Sequence, residues 1–255
     1  MKFATALISL LTILPVIDAH TIFQQLKING VAPGLGVGIR LPSKDGPIWN
    51  VSSPDMTCNG GRNPIVSHSP IVLPLSGGDI IDIQFKPGID QSHRGPVSVY
   101  MAKVPNALTE TPTEGWFKIW EKGVVKNDTA KGGVWWAVDE LRANNGWVYG
   151  IEVPRCLEAG EYLFRGEMLA LHDGAYVEGA QFYMSCAQFR VGGVTGDAHP
   201  ATVSVPGYVK YDDPGVLHID DKHHPLHDFE NRDSHNGKNY CHYNPCFVPH
   251  TDDHR

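Results

Sequence analysis

The sequence predicts an all-β protein folded as a β-sandwich with long loops. Three observations carry this. Short strand-like runs recur along most of the chain, turn chemistry separates them, and helix signals are few. The 255 residues include 27 Gly and 19 Pro, a share too high for a helical bundle and suited to a turn-rich sheet protein. With 42% hydrophobic and 19% charged residues, the chain can bury a sizeable core and is not of disordered composition.

Strands are expected at 65–75, 80–85, 97–104, 116–120, 147–153, 162–171 and 181–191. In Ile80-Ile81-Asp82-Ile83-Gln84-Phe85, alternation puts residues 81, 83 and 85 on one face. Turns fall at Ser76-Gly77-Gly78-Asp79, Lys86-Pro87-Gly88 and Glu158-Ala159-Gly160-Glu161. A single helical turn is expected at 140–143, stopped by Asn144-Asn145-Gly146. If 181–186 is extended, Gln181 and Tyr183 share one face and Phe182 takes the other.

The two ends of the chain differ from this body. Residues 1–19 read as a secretory signal: Lys2, an apolar run at 3–17 interrupted by Thr5, Ser9 and Thr12, then Asp18-Ala19. The run is short for a membrane span, and no later stretch approaches the ~20 apolar residues a span needs. A secreted, extracellular protein with no membrane partner is expected, with cleavage after Ala19. Residues 20–220 read as one domain. Residues 221–255 read as a polar tail rich in histidine, including His223, His224 and His227, solvated and with incidental metal affinity. The net charge of −7 implies no basic face and no nucleic-acid partner.

Export makes the cysteines readable. Cys58, Cys156, Cys186, Cys241 and Cys246 are an odd set, which leaves one over after two bridges. Two acceptor triplets for N-glycosylation, at Asn50 and Asn127, agree with secretion.

The residues that carry chemistry begin at His20. Cleavage before it gives a free amine and an imidazole within one residue, and the α-amino group, with a pKa of roughly 7.7–8.0, yields its proton readily to a metal. A second imidazole completes a three-nitrogen set of the kind that favours copper. His93, on a loop before Gly95-Pro96 and a strand, is the candidate. His172, Gln181 and Tyr183 form a third group: a phenol suits an axial metal position, and the other two can hydrogen-bond a nearby oxygen species.

Together these residues resemble the fungal lytic polysaccharide monooxygenases of auxiliary activity family nine. The likeness spans nearly the whole domain. It includes the leader ending at His20, Thr57-Cys58-Asn59-Gly60-Gly61, His93-Arg94-Gly95-Pro96-Val97, Trp116-Phe117-Lys118-Ile119-Trp120 and Ala143-Asn144-Asn145-Gly146-Trp147. It continues through Glu167-Met168-Leu169-Ala170-Leu171-His172, residues 179–188 and Asp213-Pro214-Gly215-Val216-Leu217.

The resemblance implies an immunoglobulin-like or fibronectin-III-like sandwich with a flat copper-bearing face. It implies one copper ion held by the His20 amine and ring and by His93, with Tyr183 axial and His172 and Gln181 beside it. It also implies a Cys58–Cys186 bridge. Cys156 then pairs with Cys241 or Cys246, or stays free while those two join. The implied activity is oxidative cleavage of β-1,4-glucan, cellulose by default, with dioxygen or hydrogen peroxide, by a monomer served by an external electron donor. Tyr208 and Tyr211 are candidates for stacking on sugar rings, and Phe23 is a weaker one. The alternatives are a glycoside hydrolase, which needs two carboxylates about the scissile bond, and a non-catalytic copper-binding or carbohydrate-binding sandwich.

Overall fold

The structure, a computed structural model, describes residues 20–128, 133–196, 198, 200–213 and 215–216. The signal segment, the last residues of the expected domain at 217–220, the tail at 221–255, Cys241 and Cys246 lie outside the described residues.

Twelve strands and two short helices are present among the described residues: β1 Thr21–Ile28, β2 Ile39–Pro42, α1 Asp55–Cys58, β3 Ile65–His68, β4 Leu73–Ser76, β5 Ile80–Pro87, β6 Val97–Val104, β7 Phe117–Lys122, β8 Val124–Asp128, β9 Gly133–Trp136, α2 Ala137–Ala143, β10 Trp147–Glu152, β11 Gly160–Ala170 and β12 Gln181–Gly192. They form a three-stranded sheet, β1-β5-β10, and a seven-stranded sheet ordered β3-β2-β12-β11-β6-β7, with β4 paired to β12. A β8–β9 ribbon stands apart.

Two faces of the large sheet are covered, which explains why β11 and β12 are buried almost throughout. On one face Phe164, Tyr183, Ala187 and Phe189 pack with Phe23, Ile81, Ile83 and Phe85 of the small sheet. The Phe23 ring lies 5.9 Å from Phe85 and 6.3 Å from Phe164. Each such fully buried side chain contributes about 1.5–3 kcal/mol. On the other face Leu163, Phe182, Met184 and Cys186 pack under loops carrying Ile48, Val51, Met56 and Val205. The period of two along β12 therefore sends Tyr183 between the sheets and Phe182 beneath the loops, as the sequence predicts.

The expected strand at 65–75 is two strands, broken at Ser69-Pro70-Ile71-Val72: proline cannot donate to a ladder, and β4 runs parallel to β12 while β3 pairs with β2. The helical turn expected at 140–143 begins earlier, at Ala137, where Asp139 Oδ2 accepts the Trp136 N–H at 2.9 Å. Trp116 lies outside β7 and makes an isolated bridge to Val203.

Cys58 and Cys186 form a disulfide with Cα atoms 5.3 Å apart. It ties α1 to the strand bearing Tyr183. Cys156 is also disulfide-bonded, so the reading that leaves it free is corrected; the pairing with Cys241 or Cys246 lies outside the described residues.

Candidate active site

One end of the sandwich gathers five chain segments. β1 begins there, with Thr21 opposite Pro87 at the end of β5. β11 ends there and β12 begins, with Ala170 opposite Gln181. The loop entering β6 arrives at the same end, because Val97 lies opposite Met168. Antiparallel register alone thus brings His20, His93, His172, Gln181 and Tyr183 together from four stretches of sequence.

Local chemistry fixes the His93 loop. Asp90 Oδ1 accepts the Ser92 N–H at 2.8 Å and the Ser92 hydroxyl at 2.6 Å, and the His93 N–H donates to Asp90 O at 3.1 Å. Gly95 lies so close to β11 that a Cβ there would sit 2.2 Å from Leu169 O. That approach lets Leu171 N–H bond Arg94 O at 2.8 Å and seats the loop against the strand leading to His172.

The side chains then converge. The His20 ring lies 6.2 Å from that of His93 and 6.1 Å from that of Tyr183. His93 and His172 meet edge to face at 4.5 Å. The Tyr183 hydroxyl donates to Gln181 Oε1 at 2.7 Å and lies 3.2 Å from His93 Nε2. Gln181 Nε2 lies 3.2 Å from His172 Nε2. His93 and Tyr183 are each only 2% exposed, whereas the His172 side chain is 21% exposed.

Burial sets the ionisation of the two interior groups. It holds the His93 imidazole below its ordinary value, helped by repulsion from His172 and His20, against the pull of Gln181 and Asp90. It raises the Tyr183 phenol well above its ordinary value, and the charge of Asp45 adds to this. A neutral imidazole therefore faces a protonated phenol at neutral pH.

The donor set suits copper. His93 Nδ1 is buried without a hydrogen-bond partner among the described residues, and Nε2 has only contacts of 3.2 and 3.3 Å. Leaving a buried polar atom unsatisfied costs about 1–3 kcal/mol, so this ring is suited to a further partner that takes nitrogen lone pairs. No three His, Cys, Asp or Glu side chains are grouped to hold a metal among the described residues.

The chain matches the model of Auxiliary Activity family 9 (formerly GH61) over residues 20–227. It belongs to Auxiliary Activity family 9. It is 42% identical over 209 residues to AA9 family lytic polysaccharide monooxygenase D of Malbranchea cinnamomea, covering 78% of this chain and 84% of that protein. It is 40% identical over 210 residues to AA9 family lytic polysaccharide monooxygenase C of Thermothelomyces thermophilus, covering 78% and 85%. Among solved structures, CvAA9A superposes with a TM-score of 0.66 at 34% identity, covering 78% of this chain and 90% of that one. A structure described as a cellulose-active polysaccharide monooxygenase from M. thermophila gives 0.65 at 28% identity, covering 81% and 94%. The sandwich is thus the immunoglobulin-like fold of the AA9 lytic polysaccharide monooxygenases.

Within this AA9 domain the remaining candidates separate. Phe23 is 0% exposed and cannot meet a sugar. The Tyr208 hydroxyl donates to Glu167 and lies 3.3 Å from an Arg165 nitrogen, with the ring edge-on to Tyr100. That inward anchorage ties it to the core rather than to the histidine cluster. Tyr211 is nearer the surface, its hydroxyl within reach of Asn50 Oδ1 at 3.0 Å and Glu178 Oε1 at 2.9 Å. Asn50 is exposed; the side chain of Asn127 lies outside the described residues. Glu167 is bound at 2.5 Å to the buried Arg165, on the opposite face of β11 from Met168 and Ala170, and is not free for hydrolytic work. No helix among the described residues is long and apolar enough to cross a membrane.

The sequence reading does not single out two further features. An open cleft of about 610 Å³ beside His20 is lined by Ser43, Lys44, Asp45, Arg62 and Asn63, within the range of small-ligand sites. Tyr176 is 73% exposed on the loop joining His172 to Gln181. Its position between two candidate residues was the available signal.

Proposed function

We propose that the chain is a secreted, copper-dependent monooxygenase that cleaves β-1,4-glucan oxidatively, with cellulose as the foremost substrate. Removal of residues 1–19 frees the His20 amine, and the start of the family match at residue 20 supports that boundary. The His20 amine and ring and the His93 ring would hold one copper ion, with the Tyr183 phenol beside it. The carrying observation is the convergence of His20, His93 and Tyr183 about a buried imidazole whose nitrogens lack full partners.

When bound, copper supplies one-electron redox chemistry and activates an oxygen co-substrate towards a carbon–hydrogen bond beside the glycosidic bond. Hydroxylation of that carbon by dioxygen consumes two electrons and two protons and releases water; an external donor provides the electrons, and elimination then breaks the chain. Tyr183 remains a protonated phenol, held by Gln181. Gln181 also orients His172, its amide N–H donating to Nε2 at 3.2 Å, and the partly exposed ring would hydrogen-bond the oxygen co-substrate. A copper carrier needs no such His172–Gln181 pair, which favours the catalytic reading.

Tyr211 contributes a sugar contact; the fixed position of Tyr208 supports a structural role for that ring. N-glycans at Asn50 and Asn127, a monomeric state and a solvated tail at 221–255 complete the reading. Mass spectrometry of soluble products from cellulose, with and without ascorbate and copper, tests it. Aldonic acids or ketosugars that require both additions are expected; unoxidised oligosaccharides formed without reductant would overturn it.

A further inference from the structure

We propose that a glycan on Asn50 stands at the rim of the candidate active site and weakens its contact with crystalline glucan while sparing single chains, a regulation that rests on the polysaccharide reading above. Asn50-Val51-Ser52 is an acceptor triplet, and Asn50 is exposed. The geometry of its amide suits the attachment. Oδ1 accepts the Ser52 N–H at 2.9 Å and lies 3.0 Å from the Tyr211 hydroxyl. Nδ2, the atom that takes the sugar, donates to no described residue, so a glycan there leaves both contacts of Oδ1 intact.

Three ties place Asn50 beside the histidine cluster. Ile48, two residues earlier, exchanges backbone bonds of 2.9 and 3.0 Å with Phe182, which lies between Gln181 and Tyr183. Such an antiparallel pair has Cα atoms about 5.5 Å apart, and two residues of chain add at most about 7 Å. The Asn50 Cα therefore lies within roughly 13 Å of the Phe182 Cα. On one side the Tyr211 hydroxyl joins Asn50 to Glu178 Oε1, 2.9 Å away, on the loop between His172 and Gln181. On the other side the Arg62 guanidinium lies over the Trp49 ring at 4.1 Å, and Arg62 lines the cleft beside His20.

A glycan is bulky and hydrated. A crystal face meets this whole end of the sandwich at once, so bulk on the rim holds it off. A single chain passes beside the same bulk. The modification thereby biases the site towards soluble or loosened glucan. The second triplet, at Asn127, lies on the β8–β9 ribbon apart from both sheets, and its own glycan serves as an internal reference.

The test uses the full chain secreted from a glycosylating fungal host, copper-loaded, as wild type, Ser52→Ala and Ser52→Thr. Ser52 bonds Asn50 through its backbone N–H, so Ser52→Ala abolishes the triplet and keeps that contact, while Ser52→Thr keeps the triplet too. Peptide mass mapping is expected to find sugar on Asn50 in wild type and Ser52→Thr and none in Ser52→Ala. Ser52→Ala is expected to bind microcrystalline cellulose about three- to tenfold more tightly than wild type, with Ser52→Thr matching wild type and cellohexaose affinity equal in all three. Unmodified Asn50 in wild type, equal affinity of wild type and Ser52→Ala for the crystal, or an equal gain on cellohexaose would each overturn the proposal alone. Failure of both wild type and Ser52→Ala to bind either glucan would overturn the polysaccharide reading and the proposal with it.

Discussion

The hydroxyl of Tyr183 lies 3.2 Å from Nε2 of His93, across ninety positions of sequence. Strand register achieves this: Tyr183 is the third residue of β12, opposite Met168, while His93 precedes β6, whose first residue also lies opposite Met168. The contact joins the most buried imidazole of the cluster to its only phenol.

His93→Ala removes one of the two imidazoles proposed to hold copper. Copper affinity is expected to fall by more than the 10–100-fold typical of losing a supporting partner, and polysaccharide oxidation to fall with it. Calorimetric titration of metal and product analysis check this together; unchanged activity would reject His93 as a ligand.

Tyr183→Phe keeps the ring and deletes the hydroxyl that bonds Gln181 at 2.7 Å. The protein is expected to fold, with stability lower by about 1–3 kcal/mol because Gln181 Oε1 loses its donor. Copper should still bind, with an altered electron paramagnetic resonance spectrum. Chemical denaturation and that spectrum, measured on one preparation, separate the two effects.

Glu167→Ala tests the network behind the site. Arg165 is fully buried, lies 2.5 Å from Glu167 and stacks against Tyr100 and Tyr208. Stranding that guanidinium is expected to cost about 3–5 kcal/mol, read as a lowered urea midpoint. A change below about 1 kcal/mol would show that the pair contributes little.

Glu161 gives a pH-dependent outcome. The Ala107 N–H, and then Arg190, hold its carboxyl below the usual carboxylate range. A depressed folded-state value means stabilisation present above the unfolded value, near 4.5, and lost as pH falls through the folded one. Glu161→Gln should therefore lower stability by about 0.5–1 kcal/mol at pH 7 and by less at pH 3. Paired thermal melts at the two pH values check the sign.

Much of this was legible in the sequence for a physical reason. Alternation in 80–85 and 181–186 survives into β5 and β12 because one face of each meets the shared core. β1 and β2 are hidden in sequence: β1 bulges between Phe23 and Gln25, breaking its period, and β2 is four residues among glycines. Residue types suggested the members of the histidine cluster, but its closeness depends on register, which pairs residues ninety apart. Tyr208 shows the limit most clearly. Its loop position suggested a surface ring, while a buried Arg165–Glu167 pair, unreadable from spacing, draws its hydroxyl inward.

The most direct measurement is copper(II) titration, followed by electron paramagnetic resonance, of protein beginning at His20 and of the same protein with one alanine placed before it. One ion per chain with coupling to three nitrogens is expected in the first, and loss of that signature in the second. The same stoichiometry and spectrum from both would contradict a site built on the His20 amine.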